Sequence, residues 1–283
     1  GDLGKFLQRL DDFARAFDGL AAGGFNTSHS YSETFDADYL KQAAAHGFRI
    51  IQFGRLPDHR MMTKSRFDPT VLAWYLGDDT SVCSKPWELR DYDAGMRAVD
   101  PNRLTCQADL VWKYGKYAAW TDVFLPELYP LRKDSPGERR KCAAEVVDHM
   151  RRIAADNARY GGGRVHAVWP IIQYFKGWTS WKRFPNRDEL YAMTFASIAH
   201  GAHGITWYTY GGVVDPAKKK DNHGITSTPE TWCNMTNLVR RLRELSPMLL
   251  TRTPPQPAPA RILSGPAVDV LGNESISMLM KRY

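Results

Sequence analysis

Two adjacent acids, Asp78 and Asp79, follow the apolar run VLAWYL with only Gly77 between them. A buried strand that ends in two carboxylates either caps the next segment, as Asp often does, or presents acid to a cleft. A third acid, Glu127, closes another apolar run in TDVFLPELYP. Carboxyls at the ends of two strands suit general acid–base chemistry, one giving a proton and the other acting as base or nucleophile. Glycosidic cleavage uses such a pair on either side of the bond. The remaining strand-end residues fit the same chemistry: Asn26, Ser28, His29 and Tyr31; Gln52 and Arg55; Gln107, Asp109, Trp112 and Tyr114; Gln173, Tyr174, Trp178 and Trp181; Trp207, Tyr208, Tyr210 and Asp215. Sugars need flat aromatic faces for their C–H surfaces and polar side chains for their hydroxyls.

Several of these residues have a plainer reading. Asp109 and Asp215 read as solvated loop acids. Arg55 either holds one of the acids ionised or bridges loops. His29 reads as a satisfied loop histidine or a ligand contact. His200 and His203 precede the last strand and read as structural, and Trp74 reads as core. Trp207 and Tyr210 alternate with Tyr208, so one set points inward and the other packs under helices.

These side chains must be positioned by alternating strands and helices. Helical spacing covers residues 5–22, 36–47, 86–99, 136–160, 187–202 and 229–246; strand-like runs cover 25–31, 49–54, 71–79, 103–108, 121–130, 165–175 and 204–212. Alternation of this kind predicts βα units on a parallel sheet. The fold expected is an α/β (β/α)8 barrel over residues 1–250, with the strand that should precede the first helix missing. An open doubly wound sheet is the rival, but no GxGxxG follows a first strand, and Gly161-Gly162-Gly163 reads as a helix stop. Residues 251–261, TRTPPQPAPAR, read as a Pro-rich linker. Residues 262–283 read as a partial β-hairpin opening a small β domain.

Composition narrows the classes. A net charge of +7 is spread along the chain, and its densest runs (Arg139-Arg140-Lys141, Lys218 to Lys220, Arg240-Arg241) read as solvated faces or a loop, so no nucleic-acid partner is expected. No apolar stretch is long enough to span a membrane. Cys83, Cys106, Cys142 and Cys233 lie far apart without a CxxC pair, and no HxH marks an early strand, so no metal and no cofactor are expected. The start GDLGKF has no Met, basic n-region or apolar h-region, and reads as that of a mature or trimmed product. An extracellular or periplasmic mature product is the expectation. Sequons begin at Asn26, Asn234 and Asn273; Asn26 is read as a site residue rather than a glycan anchor.

The chain resembles bacterial glycoside-hydrolase-like barrels over most of residues 22–250. LAWYLGDD is similar to their gWYLgDEP strand, and TDVFLPELYP to their strand ending in D.YP. DELYAMTFASIAHGAHGITWYTYGG is similar to their last helix and strand. The resemblance implies a glycosidase acting on an oligo- or polysaccharide. It is uneven. Asp79 stands where the motif has Glu. Where the large retaining clan has a nucleophilic Glu ending strand 7, this chain has Gln173-Tyr174-Phe175-Lys176. A second arrangement, in α-galactosidase-like barrels, takes its carboxylates from strands 4 and 6, and Asp78 or Asp79 with Glu127 matches it in position.

The expectation is therefore catalysis by Asp79 and Glu127 with Asp78 in support, Glu127 as acid and Asp79 as nucleophile or base, or the reverse. Asn26, His29, Gln52, Arg55 and Gln173 would bind the carbohydrate's polar groups. Trp112, Trp178, Trp207 and Tyr210 would stack on its rings. A carbohydrate-binding barrel without catalysis is the alternative. A lyase or phosphate-dependent barrel enzyme is a third reading, with Lys176 and Lys218 to Lys220 as its basic cradle.

Overall fold

The computed structural model describes residues 2–29, 37–54, 59–132, 136–162, 166–177, 180–215 and 220–251. Tyr31, Arg55, Trp178, Gly163, Lys218, Lys219 and residues 252–283, which hold most of the expected linker and the whole expected hairpin, lie outside them. So do the side chains of Arg139, Arg140, Asp215 and Lys220. The described chain forms two compact units, one from residues 1–108 with 119–123 and one from 109–118 with 124 onward.

The first unit runs α1 (Asp2–Ala22), β1 (Thr27–His29), α2 (Ala37–Ala45), β2 (Arg49–Phe53), α3 (His59–Ser65), β3 (Val71–Tyr75), α4 (Thr80–Cys83), α5 (Pro86–Val99) and β4 (Leu104–Asp109). The four strands are parallel and adjacent in chain order, with His29 opposite Ile51, Phe53 opposite Tyr75 and Tyr75 opposite Cys106. Helix α1 buries Phe17 against Tyr39, His46 and Phe48. Helix α5 starts where Pro86 is pre-set for a first turn, and Glu88 reaches back to accept from the Lys85 N–H at 2.6 Å. The helix-facing side of the sheet is pinned by polar ties: the Trp74 indole donates to Asp100 at 3.0 Å, Thr105 donates to Asp93 at 2.6 Å, and Arg97 bridges Asp93 and Asp122. Buried polar groups paired this way fix register without leaving an unmet donor.

The second unit holds a 3-10 segment (Val111–Tyr117), β5 (Val123–Leu128), α6 (Pro136–Tyr160), β6 (Ala167–Val168), β7 (Ile171–Gln173), β8 (Lys176–Gly177), α7 (Arg187–Ala199), β9 (Thr206–Tyr208), β10 (Val213–Asp215), β11 (Lys220–His223), a 3-10 turn (Ile225–Ser227) and α8 (Pro229–Leu249). Strands β5, β7 and β9 are parallel, with Glu127 opposite Ile171 and Gln173 opposite Tyr208. The single strand expected over 165–175 is two, because Pro170 has no N–H for the ladder; its carbonyl instead accepts from the Thr206 N–H. Strands β10, β11 and β8 form a separate antiparallel sheet. Asn186 caps α7 in a reciprocal box with Glu189, which Arg183 grips through two bonds of 2.6 and 2.7 Å. Tyr114 stacks on Phe124 at 3.6 Å.

Parallel strands alternating with helices make this an α/β protein of the (β/α) barrel class, in partial form. The alternating series among the described residues is β1 to β5, β7 and β9, one strand short of eight. Cys83, Cys106, Cys142 and Cys233 are all free thiols. Among the described residues no helix is long and apolar enough to cross a membrane, and no cluster of His, Cys, Asp or Glu is arranged to hold a metal ion.

Candidate active site

In the first unit, the C-terminal ends of β1 and β3 bring together His29, Tyr75 and Asp78. His29 meets Tyr75 edge to face at 4.1 Å, and Phe53 meets the same ring at 5.8 Å. The Tyr75 hydroxyl donates to Asp78 Oδ1 at 2.8 Å. Strand direction therefore delivers the phenol, and the phenol orients the carboxylate three residues on. Burial holds the His29 imidazole down to about 3, with its Nε2 out of contact with solvent, so the ring is neutral at neutral pH.

Asp79 sits differently. Its backbone is left-handed, φ 45 and ψ 44, in the one described non-glycine residue with positive φ. Asp is among the few residues that tolerate this region as single positions. Its carbonyl accepts from the Val82 and Cys83 N–H groups and so starts α4, yet its carboxylate makes no capping bond. The helix-capping reading of this side chain thus loses its main support. Beneath the turn, Thr80 donates to Gln107 at 2.9 Å and Gln107 to Thr121 at 3.1 Å, a buried chain that fixes where the two acids begin.

In the second unit, Glu127 lies on β5 itself. Phe124 turns towards the 3-10 segment through Tyr114, so strand alternation puts Glu127 and Tyr129 on the opposite face. That face is aromatic: Tyr129 meets Phe175 at 5.1 Å, Trp181 at 5.9 Å and Tyr208 at 6.2 Å. Glu127 is partly exposed there, while Leu128 beside it is buried.

No family model matches this sequence, and no curated protein resembles it. Solved structures do share its fold. A β-galacturonidase of glycoside hydrolase family 2 from Eisenbergiella tayi is 14% identical at a TM-score of 0.60, over 82% of this chain and 48% of that one. A β-D-glucuronidase from Dictyoglomus thermophilum is 12% identical at 0.60, over 82% of this chain and 47% of that one. A β-1,3-glucanosyltransferase from Rhizomucor miehei is 11% identical at 0.57, over 76% of this chain and 86% of that one. The fold is one that glycoside hydrolases and a glycosyl-transferring enzyme use. The chain spans about half the length of the two uronidases, and most of the length of the transferase.

The other expected site residues scatter. Asn26 precedes β1, at the end of the strand away from His29, and accepts from the Thr27 hydroxyl. Gln52 stands opposite Trp74, on the helix-facing side, and its amide reaches the Phe53 carbonyl at 3.4 Å. Gln173 is fully buried, and both ends of its amide bond the Leu131 backbone, at 2.9 and 3.0 Å. Trp112 is exposed on the segment after β4, tilted against His149 at 6.3 Å. Trp207 points under α7, its indole 3.4 Å from the Thr194 hydroxyl, so Tyr208 is the β9 ring on the Glu127 face. Tyr210 meets Trp232 of α8 at 6.4 Å. Asp109, read from sequence as a solvated loop acid, is instead buried, accepting from the Leu110 N–H at 2.7 Å. His203 does hold structure, its ring accepting from the Val168 N–H at 3.3 Å. Tyr75 was not among the expected site residues; an i, i+3 step from a strand aromatic to an acid was the available signal.

Proposed function

We propose that this chain is the barrel of a glycoside hydrolase acting on an oligo- or polysaccharide, with Asp79 and Glu127 as its two carboxyl groups and Asp78 in support. The observation that carries the reading is the placement of Asp79: a carboxylate just past the C-terminal end of a barrel strand, in a left-handed turn. Strand ends of this kind are where barrel enzymes place their chemistry. Glu127 supplies the second acid on a face lined by Tyr129, Tyr208 and Trp181, the type of surface that stacks on sugar rings. One carboxyl protonates the leaving oxygen; the other activates water or attacks the anomeric carbon. The fold likeness to two uronidases and a glucanosyltransferase supports the reaction class.

A binding barrel without catalysis is favoured by one observation. The end of β7 presents Gln173, with its amide fully engaged by Leu131, and no acid. A panel of nitrophenyl glycosides, uronides included, decides between the two. Turnover that disappears in Glu127→Gln and Asp79→Asn supports the hydrolase. Binding of oligosaccharides without turnover of any substrate supports the binding barrel.

A further inference from the structure

On the helix side of β7, a cavity of about 450 Å³ opens between the starts of α7 and α8 and the β8–β11 pair. It lies wholly within the second unit. Its size falls in the range of small-molecule sites. Its lining is unusual for a gap between helices. Phe184 and Pro185 form an apolar wall, and Lys176, Glu230, Ser227 and Asn234 supply donors and acceptors of every kind. Tyr174 completes it. This residue is fully buried, and its hydroxyl makes no hydrogen bond among the described residues. Asn234 lies near enough to ease the phenol's ionisation without hydrogen-bond geometry. A buried hydroxyl without a partner carries a desolvation cost that a ligand oxygen would remove. Burial also pushes the phenol up to about 12, so it stays a donor at any physiological pH.

The balance of charge selects the ligand. Both helix starts already have their caps, Asn186 on α7 and Thr228 on α8, and acids stand in both first turns. The positive ends of the helices are therefore largely answered from within the chain, which argues against a phosphate. Lys176 is offset by Glu230 in the lining, and His223 is bonded to Asp221 at 2.6 Å. A lining of mixed donors and acceptors, near-neutral in sum, beside an aromatic ring suits a neutral polyhydroxylated ring. Tyr174 meets Phe184 at 5.7 Å, so the buried hydroxyl and the apolar wall belong to one arrangement.

We propose that this cavity is a second carbohydrate-binding site, for a neutral sugar unit, served by the face of β7 opposite to the one shared with Glu127. Tyr174 and Asn234, which is half-buried on α8, both line the cavity and offer a sugar hydroxyl two partners. The ring lies against Phe184 and Pro185. The site rests on the reading of this chain as one that acts on carbohydrate.

The test uses the full chain and the probe methyl β-D-glucopyranoside, followed by ligand-observed NMR in a Glu127→Gln background that prevents turnover. The proposal expects millimolar binding that weakens about tenfold in Tyr174→Phe and in Asn234→Ala. Excess inorganic phosphate should leave it unchanged. Absence of binding, binding insensitive to both substitutions, or displacement by phosphate in a Lys176-dependent way would each overturn it. Failure of the hydrolase reading is seen separately, as absence of turnover in the wild type while the probe still binds here.

Discussion

The two units hold their acids by different means. In the first, Asp78 and Asp79 sit past the end of β3, and their placement is a matter of backbone: a glycine, a left-handed residue, and a buried Thr80–Gln107–Thr121 chain beneath. In the second, Glu127 is part of β5, and its placement follows from strand alternation and the rings around Tyr129. A strand position is fixed by sheet register. A turn position is fixed by a few local conformations, and is easier to disturb. The difference teaches that, of the two proposed carboxyls, one is held by sheet register and the other by the conformation of its turn.

The sharpest way to break this comparison is to remove each charge without changing shape. Glu127→Gln and Asp79→Asn should each lower kcat on nitrophenyl glycosides by about 10³-fold, the usual scale of general acid–base catalysis, with the thermal midpoint unchanged. Asp78→Asn should cost much less, about tenfold, because the role proposed for Asp78 is a supporting one. Equal losses at Asp78 and Asp79 would merge the two roles.

Next in size is the anchor on β7, the strand paired with that of Glu127. Gln173→Ala leaves the buried Leu131 N–H and carbonyl without their partners, and should destabilise the protein by about 2–3 kcal/mol in urea denaturation. An unchanged midpoint would mean that water takes over both bonds. On the turn side the expected effect is smaller and depends on conformation. Asp79→Ala should be about 1 kcal/mol less stable than Asp79→Gly, since only the latter removes the left-handed penalty. Equal stabilities would show that the turn relaxes.

The smallest effect at neutral pH is at His29. Its folded pKa is lowered from 6.5 to about 3 by burial, so the unfolded chain takes up the proton first as pH falls. Stability from this group is complete above pH 6.5 and is lost progressively towards pH 3. Denaturant midpoints measured from pH 7 to pH 4 should fall, and His29→Gln should flatten the fall. A slope identical in the variant would assign the acid sensitivity to other residues.

Much of this architecture is legible in the sequence, because the strands of the alternating series are apolar runs punctuated by Gly and Pro. The α5 start is marked by Pro86, and the observed helix covers the expected residues 86–99. Short or polar elements leave no such signal. Helices α3 and α4 are too brief for a periodic face, and β11, KDNH, has no apolar alternation. Pro170 hides inside an apolar run that reads as one strand. The placement of the candidate site residues is legible in part. The candidate acids stand out by residue type, Asp78 and Asp79 just past β3 and Glu127 on β5. Polar strand residues mislead: Gln52 and Gln173 read as ligand-binding, yet their amides reach carbonyl groups of the chain, and Gln173 takes a backbone N–H as well. Alternation on β9 says that Trp207 and Tyr208 face opposite ways but not which is inward; that is settled by the packing of Trp207 under Thr194.

The most direct test of the central claim is a crystal structure of the protein with a bound sugar-like inhibitor, read for the separation of the Asp79 and Glu127 carboxyl groups. The account predicts that both face the ligand, about 5–10 Å apart, with the lower end marking a retaining and the upper end an inverting enzyme. Carboxyls that point away from the ligand, or lie well beyond that range, would contradict the pairing and leave the carbohydrate-binding barrel as the account of this chain.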